Sequence, residues 1–120
     1  MSEAPSVRSV LIVDDDDGVR QMIAEYVRTS GTEAWEASNG LEALWVVKHQ
    51  RPALVLLDLM MPRLDGYETI RHIRAFDPAI RIIVITGDIS EAARQRIAKL
   101  GVELLLKPID LRNLDAIFGA

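Results

Sequence analysis

Four short aliphatic runs recur along the chain: VLIV (10–13), ALVLL (53–57), RIIVI (81–85) and VELLL (102–106). Runs of this length fit β-strands, and those that are continuously apolar fit strands covered on both faces by other elements. Between them the apolar residues recur at helical spacing instead. Val19, Met22, Ile23, Tyr26 and Val27 mark a first helix, which Gly31 is suited to stop. Leu41, Leu44 and Val47 mark a second, ending before Pro52, and Ile70 and Ile73 a third. Ala93, Ile97 and Leu100 mark a fourth, with Ser90 as N-cap and Gly101 after its end. Asp110 is placed to cap a fifth, carrying Leu111, Leu114 and Phe118.

A strand is still needed between the first two helices, and TEAWEA (32–37) is the candidate. Its polar alternation is that of an edge strand, whereas strands 1, 3 and 4 read as interior. Strand 5, which carries Glu103, takes the other edge. Right-handed crossovers then leave few topologies. The expected fold class is α/β: a flavodoxin-like, doubly wound (βα)5 domain with a five-stranded parallel sheet in the order 2-1-3-4-5. In that order the chain reverses direction between strands 1 and 3, and the crevice at their carboxyl ends is the expected ligand site.

Size and charge agree. A chain of 120 residues holds one core, expected over residues 8–120, with residues 1–7 as a flexible leader. Net charge is −4 with the basic residues scattered, which argues against capture of nucleic acid or acidic membranes. There is no helix-turn-helix pattern to suggest direct DNA binding. The chain has no cysteine, which excludes thiolate sites and suits a reducing compartment. No run approaches the roughly 18 apolar residues of a membrane span, and MSEAPS is no signal peptide; cytoplasmic residence is expected.

Each central strand ends on a polar functional group. Asp14 and Asp15 follow Val13, Asp58 follows Leu57, Thr86 follows Ile85, and Lys107 and Pro108 follow Leu106. Clustered carboxylates repel and raise one another's pKa, a cost that a divalent cation removes. All-oxygen ligands suit Mg2+. A carboxylate beside such an ion can attack phosphorus, with a lysine and a hydroxyl steadying the transferring oxygens. The constellation reads as a phosphoryl-acceptor site with Asp58 as nucleophile.

VLIVDDDDGVR, LVLLDLMMPRLDG, IIVITGD and LLLKPID together resemble the receiver domain of bacterial two-component response regulators, over about residues 8–118. The resemblance implies that Asp58 is the phosphorylated aspartate and that Asp15 binds the metal directly, with Asp14 beside it. Arg20, five positions after the second acid, supports that register. It further implies that Met60 contributes a backbone carbonyl to the metal, which is Mg2+ with Mn2+ able to substitute. Thr86 corresponds to the hydroxyl that moves on phosphorylation, and Lys107 to its salt-bridge partner. Lys107–Pro108 corresponds to a bond that is cis in the family, Pro62 and Gly66 to the loop after the acceptor. Asp16 and Asp17 are surplus, and capping of the first helix explains them.

Two departures stand out. Where receivers commonly carry Tyr or Phe as a rotamer switch, this chain has Leu104, and Ile109 replaces the usual Phe after the proline. Signalling is therefore expected to rely on Thr86 and on rearrangement of the fourth helix, strand 5 and the fifth helix. In that family the positions held here by Met60 and Asp88 help place the hydrolytic water; methionine cannot orient water, so Met60 is expected to bear on dephosphorylation more than on phosphorylation. The implied partners are a sensor histidine kinase or phosphotransfer protein and a downstream effector or output domain. A homodimer through the fourth helix, strand 5 and fifth helix is compatible with the family. Trp45 follows Leu44 and is expected to face outward.

Two rival readings attach to the same residues. DxDGV, from Asp15 to Val19, looks like the nucleophile motif of haloacid-dehalogenase-type phosphatases, with Asp15 as nucleophile and Asp17 as acid. Its further acids would have to come from Asp110 and Asp115, both in a helical pattern. The other is a receiver-like module that binds protein without being phosphorylated. In the receiver reading the chain is not an enzyme beyond assisting its own phosphorylation and dephosphorylation.

Overall fold

A computed structural model describes residues 8–59, 65–87 and 90–118. The elements alternate as β1 (Ser9–Val13), α1 (Asp17–Thr29), β2 (Glu33–Ala37), α2 (Gly40–Gln50) and β3 (Leu54–Asp58). They continue as α3 (Gly66–Phe76), β4 (Arg81–Thr86), α4 (Glu91–Leu100), β5 (Glu103–Leu106) and α5 (Arg112–Phe118). The five strands form one parallel sheet in the order β2-β1-β3-β4-β5, the topology expected from the strand patterns. Among the described residues no helix is long and apolar enough to cross a membrane.

Strand alternation divides the core into two layers. Leu11, Val13, Val55, Leu57, Ile82 and Val84 face Ala43, Val47, Ile70, Ile73 and Ile97 of α2, α3 and α4. Val10, Ile12, Leu54, Leu56, Ile83 and Ile85 face Ile23, Ala24 and Val27 of α1, and Leu114, Ile117 and Phe118 of α5. Both faces of β1, β3 and β4 are thus covered, which is why their sequences show no polar alternation. The edge strands β2 and β5 are mostly half-exposed. On β5, Glu103 pairs with Arg81 of β4, its carboxylate accepting from Nη2 at 2.6 Å.

Local signals start and stop the helices. Asp16 caps α1 by accepting from the Val19 N–H, and Ser90 caps α4 by accepting from Ala93. Asn39 caps α2 while Glu42 reaches back to the Ser38 N–H at 2.8 Å, two donors satisfied reciprocally. Gly101 closes α4 at φ +66°, a left-handed conformation that side chains avoid.

Two apolar residues depart from the expected faces. Met22 is 45% exposed and Leu41 82% exposed. At about 100° per residue, the buried stripe of α2 runs through Gly40, Ala43, Val46 and Val47, and Leu41 falls roughly opposite it. Met22 stands in the same relation to Ile23, Ala24 and Val27 on α1. Trp45 is 56% exposed, as its place after Leu44 suggested, and stacks on His49.

This division sets a stability contrast. Leu56→Ala, at a fully buried strand position, should cost about 2–5 kcal/mol, and Leu41→Glu less than about 0.5 kcal/mol. Urea melts of the two variants check it, the first showing a lower midpoint and the second an unchanged one.

Candidate functional site

The carboxyl ends of β1, β3, β4 and β5 open on one rim, and backbone hydrogen bonds fix what each strand delivers there. Asp14 directly follows β1, and its N–H donates to the Ala37 carbonyl at 3.1 Å. Its carboxylate accepts the Asp16 N–H at 2.9 Å, folding the acidic segment back over the strand end. Asp58 is the last residue of β3, and Leu59 N–H continues the pairing onto Ile85 O at 3.1 Å. Thr86 closes β4, and its carbonyl accepts the Lys107 N–H at 3.0 Å. The Lys107–Pro108 peptide is cis.

These positions bring the predicted groups together. Asp14, Asp15 and Asp58 each present a carboxylate oxygen, and the three lie within 4.8 Å of one another. Lys107 Nζ donates to Asp58 Oδ2 at 2.9 Å. Asp14, Asp58 and Thr86 are buried, whereas Asp15 and Lys107 are exposed to solvent. Leu104 is half-buried, packed against the core layer of α2, α3 and α4. Met60, Pro62 and Asp88 lie outside the described residues. Gly66 makes room for the neighbouring loop: a Cβ there would come within 2.5 Å of the Leu59 side chain.

Burial, followed by the neighbouring charge of Asp58, pushes the Asp14 carboxyl above its ordinary value; its bond from Asp16 opposes the shift. The pocket is therefore electrostatically loaded before any ligand enters it. The donor set is all oxygen, which suits a hard divalent ion. The three oxygens already stand within 4.8 Å of one another, so one such ion could be shared between them. The acid of the phosphatase reading stands outside this cluster: Asp17 is 75% exposed and paired with Arg20.

Comparison with known proteins fits this geometry. Residues 10–118 match the model of the response regulator receiver domain. The chain belongs to that family. Sporulation initiation phosphotransferase F of Bacillus subtilis is 36% identical over 110 residues, covering 90% of this chain and 89% of the relative. Response regulator MprA of Mycobacterium bovis is 37% identical over 114 residues, 92% of this chain but 48% of the relative. The chain therefore spans about half the length of the MprA relatives. Among solved structures, chemotaxis protein CheY4 of Vibrio cholerae superimposes with TM-score 0.85 at 27% identity, covering 92% of this chain and 95% of that one. This is a receiver domain of two-component response regulators.

In the sequence Arg20 marks only the register of the motif. The structure gives it more to do: it is braced between Asp14, Asp17 and Glu36. Glu36 lies in a weak edge strand, and nothing in its local pattern marks it.

The burial of Asp14 in this acidic pocket should show in pH dependence. Because the folded-state pKa of Asp14 is raised, the protonated form favours folding. That contribution is complete below about pH 4 and is lost as pH rises through the raised value. In chelator, Asp14→Asn should melt like the parent near the acidic limit and higher than it at pH 7. Thermal melts across that range check the sign.

Proposed function

We propose that this receiver domain takes a phosphoryl group onto Asp58 from a phosphohistidine donor. The observation that carries the reading is the convergence of three carboxylates at one rim, with the Lys107 ammonium on one oxygen of Asp58. The donor is a sensor histidine kinase or a phosphotransfer protein, and the recipient of the signal is an effector protein or output domain. A relative named as a phosphotransferase supports phosphoryl transfer as the chemistry.

Asp14, Asp15 and Asp58 would hold Mg2+, or Mn2+ in its place, with the Met60 carbonyl as a further ligand. When bound, the ion offsets the carboxylate charge and that of the incoming phosphoryl oxygens. An Asp58 oxygen forms the new P–O bond as the donor's P–N bond breaks, and the imidazole nitrogen keeps the electron pair. Lys107 is placed to follow the charge as it moves from the Asp58 carboxylate to the phosphoryl oxygens. Thr86, buried at the end of β4, donates its hydroxyl to one of those oxygens. Hydrolysis of the acyl phosphate resets the domain, so its only catalysis is on itself.

With Leu104 aliphatic, the response passes through Thr86 and the packing of α4, β5 and α5, and the same face suits a homodimer. Labelling with a small-molecule phosphodonor in Mg2+ should add one phosphoryl group to the parent and none to Asp58→Asn. Asp15→Asn should slow labelling while leaving Asp58 the labelled residue, the opposite of what the phosphatase reading requires. Amide shifts on adding a beryllofluoride phosphoryl mimic with Mg2+ should spread across residues 90–118. Silence there would remove α4, β5 and α5 from the response.

A further inference from the structure

The acidic run Asp14–Asp17 carries more negative charge than the pocket uses, and Arg20 gathers it. The Arg20 side chain is only 11% exposed. Its Nη1 donates to the backbone carbonyl of Asp14 at 2.9 Å, and its Nε to Glu36 Oε1 on β2 at 3.1 Å. Its Nη2 lies 2.7 Å from Asp17 Oδ1. Asp17 is mostly exposed, so that pair adds little. The bonds to Asp14 and Glu36 are the structural ones.

The Asp14 carbonyl belongs to the peptide that joins Asp14 to Asp15. A peptide is planar, so holding its C=O orients the Cα atoms on both sides. The N–H of Asp14 is already held by Ala37 O on β2. Arg20, braced on the same strand through Glu36, holds the other end. Both acids at the head of the pocket are thereby referenced to β2. Only a rigid fork of several N–H donors can span these acceptors at once; a lysine ammonium carries the charge on a single point.

We infer that Arg20 is a positioning residue: through the Asp14–Asp15 peptide it sets where these two carboxylates stand in the pocket. The inference rests on the Mg2+ reading given under Proposed function. A simple counter-charge would behave differently, because removing it would make the pocket more negative and tighten cation binding.

The test measures Mg2+ affinity by titration calorimetry, and amide hydrogen exchange in chelator without metal. Arg20→Lys keeps the charge and loses the fork. It should weaken Mg2+ binding about tenfold and speed exchange at the Asp14 and Asp16 amides while leaving core strand amides as in the parent. Glu36→Gln should move both readouts the same way by less. Parent-like affinity and exchange in Arg20→Lys overturn the inference, as does loss of protection spread evenly over the sheet. Tighter Mg2+ binding in Arg20→Met also overturns it, assigning Arg20 the counter-charge role. If the parent itself shows no Mg2+ binding, the metal reading fails, and the exchange arm still decides whether Arg20 holds the segment.

Discussion

Two carboxylates removed from water and set close enough to repel, Asp14 and Asp58, define what this molecule has to hold in place. Neither burial nor repulsion favours the arrangement. It is stable because each acid is attached to the end of a strand that the rest of the core does not release. β1 and β3 are neighbours in register from Val10↔Leu54 to Val13↔Leu57, covered by helices on both faces. The apolar burial of that sheet greatly outweighs the local electrostatic cost. The Lys107 ammonium, delivered from the far edge strand, offsets part of what remains.

The elements nearest the acids are those joined by backbone bonds beside them. Leu59 is bonded to Ile85, and Lys107 to Thr86, so β3, β4 and β5 are linked within one residue of Asp58. The chain lacks an aromatic on β5. Rings packed against that core layer come from Trp35 on β2 and Tyr67 on α3 instead, and Arg96 of α4 lies over the Tyr67 ring at 3.6 Å. This stacking ties α4 to α3.

Membership of the receiver family covers nearly the whole described domain, yet the relatives differ in what surrounds it. Sporulation initiation phosphotransferase F matches along most of its length, whereas MprA matches along about half. One fold therefore serves proteins of quite different extent.

Much of this was legible in one dimension. Continuous aliphatic runs at residues 10–13, 53–57 and 81–85 required strands buried on both faces, and the weak TEAWEA strand required an edge. Those two facts with chain handedness leave few topologies, and the order 2-1-3-4-5 that satisfies them is the one found. The residue after each run then had to reach the rim, so Asp14, Asp58, Thr86 and Lys107 were placed by position alone. What the sequence could not show depended on distance between residues far apart in the chain. That burial is the largest cause of the raised Asp14 pKa, and that Glu36 braces Arg20, follow from three-dimensional packing. Periodicity records which residues are apolar along one element, whereas burial and bond partners are set by the neighbouring elements, which only the folded chain brings near.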